Sequence, residues 1–243
     1  MQIHLMNLDR GSDRLREFDE RNAHLRTNVS RVSAVDGKSV SRDELVALRI
    51  MEPDLAYNNG ALGNALTHLA LWNLAIAKNE VVTVCEDDAI FNRDFISAAE
   101  AVLKSLPQNW DVVFWGWNFD SILWFDMIPG VSSCVGVFDQ AKLRNGMPEF
   151  QAALLVPQPF RLLQLFGTVC YSVSPAGAQA IKNFCLPLRN MTIYFPGLGR
   201  SVANRDLGVM INGVFPNINA FVSVPPLAIT KNDHSISTVQ NVP

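Results

Sequence analysis

The stretch Val81-Val82-Thr83-Val84-Cys85-Glu86-Asp87-Asp88 is the strongest indication of the fold, because an apolar run of strand-forming residues ends in three adjacent carboxylates. A short run of this composition predicts a buried strand. Adjacent carboxylates repel one another, so a strand that ends in three of them favours a bound cation. Carboxylate oxygens suit Mg²⁺ and Mn²⁺, and in open α/β sheets ligands bind beyond the carboxyl ends of strands. A solvated acidic turn, or carboxylates that cap the next helix, would also explain the pattern.

Length and composition indicate an ordinary globular protein. The 243 residues are enough for one large α/β domain, and we expect a single domain over residues 1–243. Hydrophobic residues make up 49% of the chain and charged residues 18%, which excludes a disordered chain. A net charge of −3 without a concentrated basic face argues against nucleic acid as a partner.

Compartment and membrane topology follow from three further features. Residues 1–8 are typical of a strand and lack the layout of a signal peptide, so we expect a cytoplasmic protein. The most apolar region, residues 112–138, is interrupted by polar residues and does not predict a membrane span. The four cysteines have no metal-ligand spacing and are too few for a disulfide scaffold, which favours buried free thiols in a reducing compartment: Cys85, Cys134, Cys170 and Cys185.

Strand-like and helix-like segments alternate along most of the chain, a pattern that predicts an α/β fold with a mostly parallel central sheet flanked by helices. The predicted strands cover residues 1–8, 29–35, 81–85, 111–115, 168–173 and 220–224. The predicted helices cover residues 13–25, 62–77, 94–106, 174–184 and 204–213. Within residues 120–166 the periodicity is lost and turn residues recur, which indicates a functional insertion or a mobile lid.

Two groups of side chains have both a binding and a structural interpretation. Four of the five tryptophans lie between Trp110 and Trp124, and aromatic rings stack on sugars and bases, although core packing explains a single tryptophan equally well. A charged stripe precedes and follows the start of the first helix, and we interpret it as a salt-bridged solvent face rather than a phosphate clamp: Arg10, Arg14, Glu17 and Arg21.

Three blocks of sequence together resemble glycosyltransferase family 25, which contains bacterial lipopolysaccharide and lipooligosaccharide sugar transferases and is related to collagen hydroxylysine galactosyltransferases. The first block is Met6-Asn7-Leu8-Asp9-Arg10 with Asp13-Arg14, followed by Ala34-Val35-Asp36-Gly37. The second runs from Gly60 through Gly63 to His68, Trp72 and the acidic triplet; Asn64 and Thr67 replace the family's cysteine and serine. The third includes Gly167-Thr168, Pro175-Ala176-Gly177-Ala178, Arg205-Asp206-Leu207 and Pro225-Pro226-Leu227.

The resemblance implies a GT-A fold, a UDP-sugar donor, a saccharide or lipid-linked acceptor and transfer with inversion at the anomeric carbon. It also implies Mn²⁺ or Mg²⁺ held by Asp88, helped by Asp87 or Glu86, so that the departing diphosphate is stabilised. His234 is a further candidate ligand, since a neutral imidazole binds such ions; a solvent-exposed tail histidine is the alternative. We expect the insertion at residues 120–166 to recognise the acceptor, and a lipid-linked acceptor would place the protein at the inner face of the cytoplasmic membrane.

The donor-binding residues expected from strand ends and from the resemblance are Asn7, Leu8, Asp36, Gly63, His68, Glu86 and Asp87. A nucleotide base and ribose would lie at the ends of the first two strands. Asp36 would accept hydrogen bonds from them, although turn formation alone explains Asp36-Gly37. His68 lies off the apolar stripe of its helix, so it can reach the outer flank or a neighbouring loop. We expect it to orient the loop above the donor by hydrogen bonding; a core or helix-flank histidine is the alternative.

Inverting transfer needs a base that takes the proton of the acceptor hydroxyl, and Asp206 is our candidate. It opens a predicted helix in the region where the family places an aspartate. A helix N-terminus lowers the pKa of a carboxylate, which weakens this role, and helix capping is the structural alternative.

The leading hypothesis is therefore an inverting, metal-dependent transferase that moves galactose or glucose from a UDP-sugar into a bacterial surface glycan. A nucleotidyltransferase or a sugar-nucleotide hydrolase is the second hypothesis, and the absence of a glycine-rich, basic phosphate loop near the start of the chain counts against it. The third is a catalytically silent sugar-binding module, which the three carboxylates and Asp206 argue against.

Overall fold

The structure, a computed structural model, describes residues 1–231 of the 243-residue chain. Its centre is a mixed sheet of nine strands in the order β2-β1-β3-β9-β5-β12-β8-β6-β7. Four further strands form two small two-stranded sheets, β4 with β13 and β10 with β11. The strands of the described residues are β1 (Ile3–Asn7), β2 (Val29–Ser33), β3 (Val82–Glu86), β4 (Ala89–Phe91), β5 (Val112–Gly116), β6 (Ile122–Ile128), β7 (Ser132–Val137), β8 (Gln158–Gln164), β9 (Cys170–Val173), β10 (Thr192–Phe195), β11 (Arg200–Ala203), β12 (Ala220–Val224) and β13 (Ala228–Thr230).

Helices cover both faces of this sheet, as predicted. The α-helices are α1 (Ser12–Arg21), α2 (Arg42–Ala47), α3 (Asn59–Lys78), α4 (Phe95–Ser105), α5 (Gln140–Asn145), α6 (Met147–Ala152), α7 (Pro175–Cys185) and α8 (Leu207–Met210). The predicted helix over residues 204–213 is shorter than expected, because only four residues are α-helical before a 3₁₀ turn at Ile211–Gly213.

The prediction of a mostly parallel sheet is wrong. Strands β1, β2 and β3 are mutually parallel, and β12 is parallel to β5. The other five pairings of the sheet are antiparallel, since β9 lies antiparallel between β3 and β5 and the strands β8, β6 and β7 extend the sheet beyond β12. Alternation of helices and strands fixes the fold class but not strand direction, which depends on where each connection returns the chain.

Residues 120–166 are not an irregular lid. They form the hairpin β6–β7, the two short helices α5 and α6, and strand β8, which joins this hairpin to the central sheet. The hairpin was missed because its outer strand β7 lies at the sheet edge and exposes Val135 and Val137, so no alternation of buried apolar and exposed polar residues marks it. The stretch is therefore an ordered extension of the sheet.

The alternation of side chains along the central strands produces two cores. On β5, Val112 and Phe114 pack on the face covered by α3 and α7, while Val113 and Trp115 pack on the face covered by α1 and α4. Trp115 and Trp117 are among the largest fully buried side chains. These two tryptophans therefore pack in the core, which was the alternative to a binding role, and they are not part of a sugar-stacking rim. The thiols of Cys85, Cys170 and Cys185 are free and buried, and that of Cys134 is free and half-buried.

Candidate active site

The candidate site is a cleft of about 900 Å³ at the carboxyl edge of the parallel strands. Strands β1, β2 and β3 run in the same direction, so the residues that follow them meet at one edge of the sheet. Strand β9 runs the opposite way, and its preceding residues Gly167 and Thr168 therefore reach this same edge. Nine of the ten residues proposed from sequence fall in the described part of the chain. Seven of these line the cleft, and the other two, Gly63 and His68, do not.

The acidic triplet lies where the sequence predicts it, at the end of a central strand. Glu86 is the last residue of β3, and Asp87 and Asp88 form the turn to β4. Strand β4 pairs with β13, with Ala89 opposite Thr230. This pairing brings Thr230 beside the triplet, where its hydroxyl donates a hydrogen bond of 3.0 Å to Asp88 Oδ2.

Asp87 is held by two residues from the start of the chain. Arg14 donates to its Oδ1 through Nε at 2.8 Å and also through Nη2, and Asn7 Nδ2 donates to its Oδ2 at 2.8 Å. The side chain of Asp87 is 12% exposed and that of Arg14 is 30% exposed. Both carboxylate oxygens of Asp87 thus have protein partners, and its charge is balanced by the guanidinium.

Asp88 differs from the other two carboxylates of the triplet in its hydrogen bonding. Its Oδ1 is buried and has no partner among the described residues, and burial raises the pKa of its carboxyl group, although Arg14 lowers it. A buried, unpaired carboxylate oxygen is costly, and a divalent cation would satisfy it. In residues 1–231 no three His, Cys, Asp or Glu side chains are arranged as a ready metal site. The donor set fits an ion that also binds oxygens of a substrate.

Glu86 is fixed by a threonine of the neighbouring strand end. The hydroxyl of Thr168 donates to Glu86 Oε1 at 2.6 Å. Burial raises the pKa of Glu86 to about 7, and the negative charge of Asp88 acts in the same direction, while the bond from Thr168 opposes the shift. Without a cation, Glu86 is therefore partly protonated near neutral pH.

Asp206 lines the same cleft and caps helix α8, so the structural alternative of a capping carboxylate is realised. Its Oδ1 accepts the backbone N–H of Val209 at 3.0 Å. The expected lowering of its pKa by the helix terminus is present, but it is outweighed. Burial is the larger effect, and the pKa of Asp206 is raised above its usual value. The electrostatic objection to a base at this position is therefore removed.

The interpretation of the charged stripe as a solvent face is wrong, because all four of its side chains line the cleft: Arg10, Arg14, Glu17 and Arg21. The salt bridges are nevertheless present. Arg21 pairs with Glu17 at 2.7 Å, and Arg10 forms an ion pair with Asp36 across the cleft wall. Asp36 also accepts the backbone N–H of Lys38 at 3.1 Å, so its turn-forming role is realised as well.

Asn7, Leu8 and Asp36 line the cleft, whereas Gly63 lies behind its wall. A Cβ atom on Gly63 would lie 2.3 Å from the carbonyl oxygen of Val35 and 2.7 Å from the backbone nitrogen of Gly37. Gly63 therefore lets helix α3 approach the segment that carries Asp36. The structure gives this glycine a packing role instead of a place on the cleft surface.

His68 is fully buried and does not lie on the outer flank of its helix. Its Nδ1 lies 2.8 Å from the hydroxyl of Tyr171, and its Nε2 lies 3.3 Å from Thr168 Oγ1. The ring is absent from the cleft wall and reaches it only through Thr168. The structural alternative of a core histidine is correct. The remaining candidate, His234, lies outside the described residues.

Sequence reasoning missed Arg14, Thr168 and Thr230 as site residues. Arg14 and Thr168 stand in two of the sequence blocks that resemble the family, so a signal was present for both. Thr230 carries no such signal, because its contact with Asp88 depends on the pairing of β13 with β4.

The fold is that of an α/β protein with a cleft at the carboxyl edge of its parallel strands, which is the edge where open α/β sheets bind ligands. The sequence model of glycosyltransferase family 25, described as LPS biosynthesis proteins, matches residues 1–190. The chain belongs to this family, as the resemblance predicted. It is therefore a glycosyltransferase, with a sugar donor and an acceptor as substrates. Asp206 and Thr230 lie beyond the matched residues.

Comparison with solved structures gives weak similarities. Mannose-1-phosphate geranyltransferase from Thermus thermophilus is 12% identical, with a TM-score of 0.36 over 91% of this chain and 72% of that one. The protein A197 from STIV is 10% identical, with a TM-score of 0.37 over 96% of both chains. Neither likeness carries an argument about function. No curated protein matches the sequence. None of the helices in residues 1–231 is both long and apolar enough to cross a bilayer.

Proposed function

We propose that this family 25 glycosyltransferase is an inverting, divalent-metal-dependent enzyme of the GT-A type that transfers a hexose from a UDP-sugar to a saccharide acceptor of bacterial LPS or LOS. The hexose is of the galactose or glucose type. One observation carries the proposal: Asp88, which has a buried oxygen without a partner among the described residues, and Asp206, whose carboxylate caps a helix, line the same cleft. Metal binding and proton removal are the two tasks that such a transfer requires.

The donor would lie across the carboxyl edge of the first three strands. Asn7 and Leu8 lie at the end of β1, and Asp36 follows β2, so the base and ribose fit beside them. Asp36 can accept a hydrogen bond from a ribose hydroxyl. The guanidinium of Arg10 and the side chain of Lys38, which line the same wall, balance the charge of a diphosphate.

The metal role falls first on Asp88, with Asp87 and Glu86 beside it. Arg14 already donates two hydrogen bonds to Asp87 Oδ1 and Asn7 donates one to Oδ2, while Thr168 fixes Glu86. When bound, Mn²⁺ or Mg²⁺ would stabilise the charge that develops on the departing nucleoside diphosphate. Arg14, which lines the cleft, adds a fixed positive charge next to the triplet.

Asp206 would take the proton from the acceptor hydroxyl as it attacks. Its raised pKa makes the carboxylate a stronger proton acceptor than an exposed aspartate, and its hydrogen bond from Val209 fixes its orientation. Asp120 and Ser121, at the start of the extension formed by residues 120–166, also line the cleft. We assign acceptor recognition to this extension and place the enzyme at the inner face of the cytoplasmic membrane if the acceptor is lipid-linked.

A donor screen tests the proposal. The protein is incubated with Mn²⁺ and UDP-galactose, UDP-glucose or UDP-N-acetylglucosamine, with and without saccharide acceptors, and free UDP is measured. With a hexose donor, we expect UDP to be released only when Mn²⁺ and an acceptor are both present. Release that ignores the acceptor would identify a hydrolase, and nucleotide binding without release under any condition would identify a silent binding module.

A further inference from the structure

A buried chain of hydrogen bonds connects the protein core to Glu86. Trp72 Nε1 lies 2.9 Å from the hydroxyl of Tyr171, and that hydroxyl lies 2.8 Å from His68 Nδ1. His68 Nε2 lies 3.3 Å from Thr168 Oγ1, which lies 2.6 Å from Glu86 Oε1. The first four side chains are all buried, and only the last member of the chain, Glu86, is partly exposed in the cleft.

The direction of every hydrogen bond in this chain follows from its first member and from the need of each buried hydroxyl proton for an acceptor. An indole N–H donates and cannot accept, so the hydroxyl oxygen of Tyr171 accepts from Trp72. The single hydroxyl proton of Tyr171 is then available to His68 Nδ1, which must accept it. A neutral imidazole carries one proton, and it must therefore be on Nε2. Burial lowers the pKa of His68 to about 3, which keeps the ring neutral.

The same direction continues to the cleft. His68 Nε2–H donates to Thr168 Oγ1, and the hydroxyl of Thr168 is free to donate to Glu86 Oε1. Reversing the bonds from Tyr171 to Glu86 would require a proton on Glu86 and would leave the buried hydroxyl proton of Tyr171 without an acceptor, which is costly. The carboxylate of Glu86 is the only member that accepts without donating onward.

We propose that Trp72, Tyr171, His68 and Thr168 form a one-way hydrogen-bond relay that positions the Glu86 carboxylate in the cleft for the bound metal and donor. These four are positioning residues, because three of them do not line the cleft and Thr168 acts through Glu86. The relay itself is a property of the fold. Its consequence for metal and donor binding rests on the proposed function.

The relay uses rigid elements at both ends. Trp72 and His68 lie one turn apart on helix α3, and Tyr171 lies on β9, whose neighbour β3 ends at Glu86. Tyr171 is directly opposite Val84 in the β3–β9 pairing. Glu86 is thus fixed relative to α3 without Trp72 or His68 touching the ligand. Hydrogen bonds of this kind to metal-binding carboxylates commonly change metal affinity by about 10- to 100-fold.

The tautomer of His68 tests the direction of the relay independently of enzymatic activity. In protein with ¹⁵N-labelled histidine, the protonated and unprotonated ring nitrogens give separate resonances, and the His68 signals are assigned by their loss in His68→Gln. We expect a neutral ring with the proton on Nε2, and a changed Nε2–H resonance in Thr168→Val. A ring protonated on Nδ1, or a resonance unaffected by Thr168→Val, would overturn the relay.

Metal titration tests its consequence. Mn²⁺ affinity is measured by calorimetry in the presence of UDP for wild type, Thr168→Val and Thr168→Ser. We expect Thr168→Val to weaken Mn²⁺ binding by about 10-fold, and Thr168→Ser, which keeps the hydroxyl, to remain within about 2-fold of wild type. The matched control is Thr83→Val, because Thr83 is an equally buried threonine of β3 whose hydroxyl bonds Ser172 at 2.7 Å.

The two measurements separate failure of the relay from failure of the proposed function. If wild type binds no Mn²⁺ with UDP but shows the Nε2 tautomer, the relay stands and the metal-dependent function fails. Equal losses in Thr168→Val and Thr83→Val would show a purely structural role and overturn the positioning. If Thr168→Val does not fold, the wild-type tautomer and the affinity of Thr168→Ser decide the question.

Discussion

Arg14 Nε lies 2.8 Å from Asp87 Oδ1, so a residue of the first helix neutralises the middle carboxylate of the acidic triplet. This ion pair separates the three acidic residues into different environments. Asp87 has a cationic partner, Glu86 has a hydroxyl donor, and Asp88 keeps a buried oxygen without a partner among the described residues. These differences determine how each residue should respond to substitution.

Removal of the guanidinium should destabilise the protein. Arg14→Met leaves the largely buried charge of Asp87 unpaired beside two other carboxylates, and we expect the free energy of unfolding to fall by about 2 kcal/mol. Urea denaturation measures the change. Arg16→Met is the control, because Arg16 pairs with Asp13 on the surface, and it should change stability by less than about 0.5 kcal/mol. Similar losses in the two variants would contradict the importance of the Arg14–Asp87 pair.

Asp88→Asn should abolish stabilisation by metal without weakening the metal-free fold. Asparagine keeps an oxygen for Thr230 and removes a buried charge, so the unfolding free energy in EDTA should be equal to or above that of wild type. Wild type with UDP and Mn²⁺ at about 100 times the dissociation constant should gain about 2.7 kcal/mol. A thermal shift assay measures both. Retention of the Mn²⁺-dependent shift in the variant would exclude Asp88 as a ligand.

Asp206→Asn should separate chemistry from binding. Asparagine is also a good N-cap, so the fold and UDP binding should be unchanged, while transfer should slow by about 10²- to 10⁴-fold through loss of the base. Initial rates and calorimetry measure the two effects. The control is Asp139→Asn, which alters the corresponding capping residue of α5, where Asp139 accepts from Lys142 at 3.0 Å. A turnover near that of wild type would remove Asp206 as the base.

The metal-free protein should lose stability as pH rises from 4.5 to about 7. The folded state raises the pKa of Glu86 from 4.5 to about 7, so across this window it binds more protons than the unfolded state, and the free energy of unfolding falls with pH. Urea denaturation in EDTA at several pH values should show a smaller slope for Glu86→Gln, while replacement of the exposed Glu20 by glutamine should leave the slope unchanged. An unchanged slope for Glu86→Gln would refute the shift.

Gly63→Ala should destabilise the protein, although alanine normally favours a helix by about 1 kcal/mol over glycine. The added Cβ would lie 2.3 Å from the carbonyl oxygen of Val35, and the helix and the loop must move apart. We expect a loss of about 1–3 kcal/mol in unfolding free energy, the range for overpacking. Gly136→Ala is the control, since its nearest contact would be the Phe138 ring at 3.4 Å. A stabilised Gly63→Ala would show that the close approach is not required.

Patterns within the sequence were enough to establish the α/β class, the strand that ends in the acidic triplet, most of the helices and the family. These features are local, because apolar periodicity, capping residues and the order of short motifs all lie within a few residues of one another. Asp36 and Asp206 were placed near strand and helix ends for the same reason, and both line the cleft.

Only the folded chain decided three further features: the direction of each strand, the ordered extension at residues 120–166, and the partner of each charged group. Arg14 meets Asp87 across 73 residues of sequence, and Thr168 meets His68 across 100. Which of the three adjacent carboxylates has a cationic partner, and which keeps an oxygen without a partner among the described residues, depends on the strands and helices that pack beside them. Contacts between distant parts of the chain cannot be read from local sequence patterns, because each of the two residues fits the pattern of its own helix or strand whether or not the other is present.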